Sequence, residues 1–124
     1  MAGYDVTPPP KRLADRVQLR TAFSTSSGDV TKFLVQLEYW HNGAWQEVVR
    51  YDHDRDATGG HDVSSEGLHR DEFRDGEKFR TVRVLERIAP KAAFEYAEED
   101  LSENLELYTQ RFEEWHDVKE GENR

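Results

Sequence analysis

The residues that could do chemistry concentrate at 50–71, the densest polar stretch: Arg50, Asp52, His53, Asp54, Asp56, His61, Asp62, His69, Arg70 and Asp71, with Tyr51 among them. Three of the five histidines lie in this stretch. Imidazole titrates near neutral pH, so it can serve as acid or base. A His-Asp step occurs at His53-Asp54 and again at His61-Asp62, and His69-Arg70-Asp71 is close to it. A carboxylate beside an imidazole fixes its tautomer and raises its basicity. Such a set suits acid–base attack on a phosphodiester without a metal. One histidine would take a hydroxyl proton, another would protonate the leaving oxygen, and Arg50 or Arg70 would hold the phosphate. A His/Asp metal site is a second chemistry, but the spacing matches no strong motif such as HExxH, so no metal ligand is assigned. The plain alternative is a solvated loop between hairpins. Gly59 and Gly60, just before His61, allow the chain to turn sharply there.

The elements that must position these residues are legible on both sides. Val17, Leu19, Thr21 and Phe23 alternate with Arg16, Gln18 and Arg20, which is a half-buried strand. Ser26-Ser27-Gly28-Asp29 is a turn. Phe33, Val35, Leu37 and Tyr39 then form the inward face of a second strand. Asn42-Gly43 predicts a two-residue hairpin turn, and a third strand over 45–51 completes a meander. Strict alternation puts Tyr51 inward with Trp45 and Val49. It puts Arg50 outward with Gln46 and Val48. Arg16, Arg20, Arg50, Arg83 and Arg87 would then stripe the outer face, beside the exposed aromatic Trp40. Short strands are expected at 62–64 and 68–73, a second tight turn at Asp75-Gly76, and a strand over 79–88.

From Pro90 the apolar period becomes helical, through Phe94, Ala97, Leu101, Leu105, Tyr108, Phe112 and Trp115. Pro90 suits a first helical turn, and Glu95, Glu98, Glu99 and Asp100 sit in early turns favoured by the helix dipole. The expected architecture is α+β: an antiparallel sheet of about five strands, with an N-terminal meander, packed on one long C-terminal helix. A break near 102–104 is compatible with the pattern. Residues 1–15, with Pro8-Pro9-Pro10, are expected to be a flexible N-terminal segment, 16–118 a single domain, and 119–124 a frayed tail.

With 124 residues there is room for one core. The absence of cysteine excludes disulfides, thiol catalysis and thiolate-held zinc. No apolar run approaches the roughly 20 residues of a membrane span, and no signal-like stretch opens the chain, so a cytoplasmic location away from membranes is expected. The net charge is −9, divided as −2 over residues 1–90 and −7 over 91–124. Acid excess with 12 arginines and only 5 lysines fits a salt-rich cell interior. At about 1 M salt the Debye length is near 3 Å, and like-charge repulsion costs little. An ordinary acidic protein is the alternative. No cofactor motif is present.

The run Val48-Val49-Arg50-Tyr51-Asp52, then Gly60-His61-Asp62, Leu68-His69-Arg70-Asp71 and Arg74-Asp75-Gly76-Glu77-Lys78, resembles a family of small uncharacterised haloarchaeal proteins. The segment Phe94–Trp115 fits the same family, so the resemblance covers most of residues 16–116. The order of meander, Tyr-Asp step, clustered histidines and amphipathic helix is also similar to TumE-type toxins of two-gene toxin–antitoxin modules, with Tyr51, Asp52, His61 and His69 at the matching positions. This resemblance implies a toxin component acting on RNA, with a cognate antitoxin or other protein as partner. His61 and His69 are then the acid–base candidates, Asp52 and Asp62 their orienting carboxylates, and Arg50 and Arg70 the phosphate ligands. The alternative is a non-catalytic interaction module that engages a protein through a sheet edge or the acidic helix.

Overall fold

The structure is a computed structural model describing residues 3–56 and 61–116. Six strands run in chain order across one antiparallel sheet: β1 (Lys11–Ala14), β2 (Val17–Ser26), β3 (Asp29–His41), β4 (Ala44–Asp54), β5 (Leu68–Arg74) and β6 (Glu77–Leu85). Between β4 and β5 stands α1 (Val63–Glu66), and after β6 come α2 (Pro90–Glu103) and α3 (Leu105–Trp115). The architecture is α+β as expected, with three corrections. The sheet has six strands, because Lys11–Ala14, inside the segment expected to be flexible, pair with β2. Asp62–Ser64 do not form a strand; Asp62 instead caps a helical turn. The C-terminal helical stretch is two helices, α2 and α3, divided at Asn104.

Alternation governs the core. Val17 and Leu19 on β2, Phe33, Val35, Leu37 and Tyr39 on β3, and Val49 and Tyr51 on β4 are buried on one face. Ala93, Ala97 and Leu101 of α2 and Tyr108 and Phe112 of α3 cover them. Aromatic edges lock the layers: Phe94 meets Phe23 and Phe33 edge-on at 5.3 and 5.4 Å, and Phe112 stacks on Tyr39 at 4.7 Å. The first turn of α2 carries no acid; Glu95, the first of its acids, lies in the second turn.

The expected hairpin turns form at Asn42-Gly43 and Asp75-Gly76, each with two positive φ angles. Beyond the turns, slips in register change the phase, and two of them bear on the site. In β4 the pairing slips at Val48, so Glu38 faces Glu47 while Leu37 faces Val49. The turn sets Trp45 opposite Trp40, with the two rings 5.3 Å apart, and the slip leaves Val49 out of phase with it, on the other face from the one strict alternation requires. In the β5–β6 pair a second slip follows Phe73, which sets Glu72 opposite Arg80 and His69 opposite Arg83.

Polar networks secure both faces. On the open face, Glu38 accepts from Gln18, Gln36 and Arg20 at 2.6, 2.6 and 3.1 Å. On the helix-covered face, Glu72 is fully buried and accepts from Arg70 at 3.0 Å and from Arg80 at 2.9 Å, with Arg111 3.1 Å away. Beside it, Tyr51 and Tyr108 both donate to Asp100, at 2.7 and 2.8 Å.

Candidate functional site

Three short links bring the histidines together. The chain leaves β4 at Asp54, whose N–H donates to the carbonyl of His61 at 2.8 Å. Asp62 then caps α1 by accepting from the Ser64 N–H at 2.9 Å. Gly67 turns the chain into β5 with φ +83°. A Cβ at that position would lie 2.4 Å from the Leu85 carbonyl oxygen, so the corner requires glycine. His61 and His69, eight residues apart, consequently meet with ring centroids 4.3 Å apart.

Their contact is a hydrogen bond, His69 Nδ1 to His61 Nε2 at 2.9 Å. His61 has two further neighbours, Glu66 Oε2 3.1 Å from Nδ1 and the Gly67 carbonyl 2.9 Å from Nε2. Both are acceptors, and this gives the pair two proton arrangements. With the His61 proton on Nδ1, toward Glu66, Nε2 accepts from His69 Nδ1–H and leaves His69 Nε2 as a base. With the proton on Nε2, His69 Nδ1 accepts and His69 Nε2 carries the proton as an acid. Desolvation, then the charges of His61 and Arg83, lower the His69 pKa, which favours the neutral ring both arrangements need.

Asp52 extends the site. It and His69 lie one residue beyond the last registered β4–β5 pair, Tyr51 with Arg70. Burial raises the Asp52 pKa and the nearby Asp71 charge adds to it, while Arg50, His61 and Lys78 pull the other way. Arg50 shares the open face, where it donates to Gln36 at 2.9 Å, pairs with Glu47, and lies over the Phe73 ring.

Two nominated residues stand elsewhere. Arg70 lies on the helix-covered face, bonded to Glu72 and set against the Tyr108 ring, so it shares no pocket with the histidines. Asp62 is a helix cap, and Glu66 takes the place beside His61 that Asp62 was expected to fill. Its carboxylate instead comes within 3.9 Å of His53, and the Ser64 hydroxyl is the main influence lowering its pKa. His53 itself is buried on the other face of β4. Gly59 and Gly60 lie outside the described residues.

Sequence reasoning gave neither Glu66 nor Arg83 a role in the histidine site. Arg83 was expected only in the outer-face stripe, and it is the slip in the β5–β6 pair that places it opposite His69. Glu66 became a neighbour of His61 through α1, where a strand was expected. Of the remaining histidines, His41 and His116 pack 5.1 Å apart, and His116 Nε2 lies 2.8 Å from Asp75 Oδ1. That contact ties the end of α3 to the β5–β6 turn, a structural role. No group of three or more metal-ligating side chains is assembled among the described residues. Nor is any helix among them long and apolar enough to cross a membrane.

A six-stranded antiparallel meander, with helices on one face and a histidine pair at the margin of the other, defines an α+β single-sheet domain. The chain belongs to the DUF7718 family: the model for this domain of unknown function matches residues 7–118. No curated protein and no solved structure matches it.

Proposed function

We propose that this protein is a cytoplasmic, haloarchaeal toxin component of the TumE-like kind that cleaves RNA by metal-independent acid–base chemistry. The observation that carries the reading is the His61–His69 contact, backed by Glu66 and flanked by Asp52. In the base arrangement, His69 Nε2 removes the 2′-hydroxyl proton as that oxygen attacks phosphorus. The bond to the 5′-oxygen breaks and a cyclic phosphate forms. The same nitrogen, now protonated, delivers the proton to the departing 5′-oxygen. Arg83, opposite His69, is the nearer cation for the phosphate, with Arg50 further along the same face. Net acidity opposes RNA binding at low ionic strength, and molar salt screens that repulsion while also weakening phosphate contacts.

The test is inducible expression in a haloarchaeal host, wild type beside the His61→Ala/His69→Ala double variant, with growth and total RNA integrity followed together. Arrest with RNA fragmentation in the wild type alone is the expected result. The double variant's urea midpoint is measured in parallel, so that loss of fold is not mistaken for loss of chemistry. Normal growth with intact RNA under wild-type expression refutes the reading.

One observation favours a second reading, a protein-interaction module. Among the described residues, strand β6 closes the sheet at one edge and pairs only with β5. Its other side is open to an added strand. A neighbouring reading frame for a small antitoxin supports the toxin reading, and an isolated gene supports the module.

A further inference from the structure

The two edges of the sheet are built differently. At one, β1 has four residues, follows Pro8-Pro9-Pro10 and slips in register between Arg12 and Ala14, and Val6 bridges to Phe23 further along β2. Short length, proline and slips are the usual guards of an edge. At the other, β6 runs for nine residues, Glu77 to Leu85, without proline or glycine, and among the described residues it pairs with β5 alone. Glu77, Lys78, Arg80 and Arg83 on this strand are exposed, as are Glu86 and Arg87 in the bend that follows. Edge charges of one sign would repel a second copy of the strand. Here the signs are mixed, so they select a register instead.

Two copies of a strand paired antiparallel about a twofold axis normal to the sheet have one residue on the axis, facing itself. With Val82 there, Glu77 faces Arg87, Lys78 faces Glu86, Phe79 faces Leu85, Arg80 faces Val84 and Thr81 faces Arg83, each twice. Both acids meet cations, and no like charges meet. The neighbouring axes fail. An axis at Arg80 or Arg83 sets that arginine against itself, and an axis at Thr81 leaves Glu77 facing Leu85 and Lys78 facing Val84. The slips of β6 against β5 fall at Phe79 and Val84. With Val82 central, the slip at Phe79 in one copy lies beside the slip at Val84 in the other. Both strands then carry their extra residue in the same interval, and the count between the axis and the end charges stays equal.

We infer that β6 pairs antiparallel with β6 of a second copy of this chain, centred on Val82, and joins two six-stranded sheets into one. The open edge described above thereby gains a named partner. The pairing also bears on the histidine site. Arg83 stands opposite His69 within its own chain. Across the seam it stands opposite Thr81 of the second copy and diagonal to that copy's Arg83, with Cα atoms roughly 7–8 Å apart. Thr81 donates to Asp71 at 2.8 Å, and Asp71 pairs with Arg50 of the open face. The two Arg83 side chains therefore share the face that carries both histidine pairs, and each site gains a second guanidinium for a phosphate. That last consequence rests on the RNA reading; the pairing itself does not.

Sedimentation equilibrium of the full-length chain over a range of concentrations tests the pairing, and a monomer–dimer equilibrium is expected. Among the described residues, neither Glu77 nor Arg87 makes an ion pair within its own chain. Both can therefore be changed without disturbing the fold, which each variant's urea midpoint checks. Glu77→Arg sets an arginine against Arg87 at both ends of the seam, and Arg87→Glu sets a glutamate against Glu77. Each single variant is expected to weaken dimerisation about tenfold. Glu77→Arg and Arg87→Glu together restore opposite charges and should restore the dimer. A wild type that stays monomeric at about 0.5 mM, single variants that dimerise as the wild type does, or a double variant no tighter than the singles overturns the inference. None of these readouts involves RNA. Intact RNA beside a dimer that answers to the charge swaps refutes the toxin reading alone, and RNA fragmentation by a monomer refutes the pairing alone.

Discussion

Glu72→Gln tests the reasoning about buried charge most directly. Glu72 is fully buried, and its three arginine partners differ in access to water: the side chains of Arg70, Arg111 and Arg80 are 20%, 25% and 49% exposed. The glutamine keeps the shape and removes the charge. Breaking a fully buried pair costs about 3–5 kcal/mol. Here Arg80 can turn into solvent and recover most of its hydration, while Arg70 and Arg111 recover less, so about 3 kcal/mol is expected. For a domain of this size that corresponds to a fall in Tm of roughly 10 °C. Chemical denaturation at neutral pH, with the slope checked for constancy, measures it.

The same substitution makes a prediction in pH. Burial opposes ionisation of Glu72, but hydrogen bonds from Arg80 and Arg70, and the Arg111 charge, outweigh it and hold its pKa below the ordinary value. A depressed carboxylate contributes stability that is complete above the unfolded-state pKa, about 4.3 for glutamate, and is lost as pH falls through the folded-state pKa. The gap between wild type and Glu72→Gln should therefore be constant from neutral pH down to about 5 and shrink below about 4. A neutral-pH difference under about 1 kcal/mol, or a gap that persists unchanged in acid, refutes the account.

Other consequences follow from single residues. Gly67→Ala must accommodate a Cβ at 2.4 Å from backbone and a φ of +83°, so a loss of at least about 2 kcal/mol in denaturation is expected; the His61–His69 contact should loosen with it, seen as altered ring resonances. Tyr51→Phe removes one of two hydroxyls donating to Asp100 and should cost about 1 kcal/mol. The Tyr51→Phe/Tyr108→Phe pair should cost more than the sum of its singles, because Asp100 then loses both donors; strict additivity in a double-mutant cycle would contradict the shared-acceptor picture. His41, His53 and His69 all have pKa values lowered, chiefly by desolvation. Their unfolded forms bind protons first, so stability should begin to fall as pH drops below about 6.5 and keep falling toward the folded-state pKa values. A urea midpoint flat between pH 7 and about 5 would show that these rings are not desolvated as described.

Local chemistry decided much of this protein. Alternating Phe33, Val35, Leu37 and Tyr39 committed β3 to one buried face, and Asn42-Gly43 and Asp75-Gly76 committed the chain to tight turns at those points. Spacings of three and four from Phe94 to Phe112 made the C-terminal part helical and gave it its core face. These are nearest-neighbour preferences, which a sequence carries in full. The clustering of histidines was visible too, though not which of them would touch.

Contacts between distant segments decided the rest. The turn at Asp75-Gly76 sets the first rungs of β5–β6, and continuing that register would place His69 opposite Val82. The slip after Phe73 brings Arg83 there, and sets Arg80 opposite the buried Glu72. The slip at Val48 likewise puts Val49 and Tyr51 on the helix side, out of phase with Trp45, which the Asn42-Gly43 turn sets opposite Trp40. A bulge is settled by packing on both sides of a sheet, so no local pattern announces it. Arg70 follows the same logic: it adjoins His69 in sequence, but successive strand residues point to opposite faces, and Glu72 holds it on the helix side. Composition and spacing determined that acid–base side chains lie near one another along the chain; the sheet's two faces, and the bulges that set their register, determined which of them share a surface.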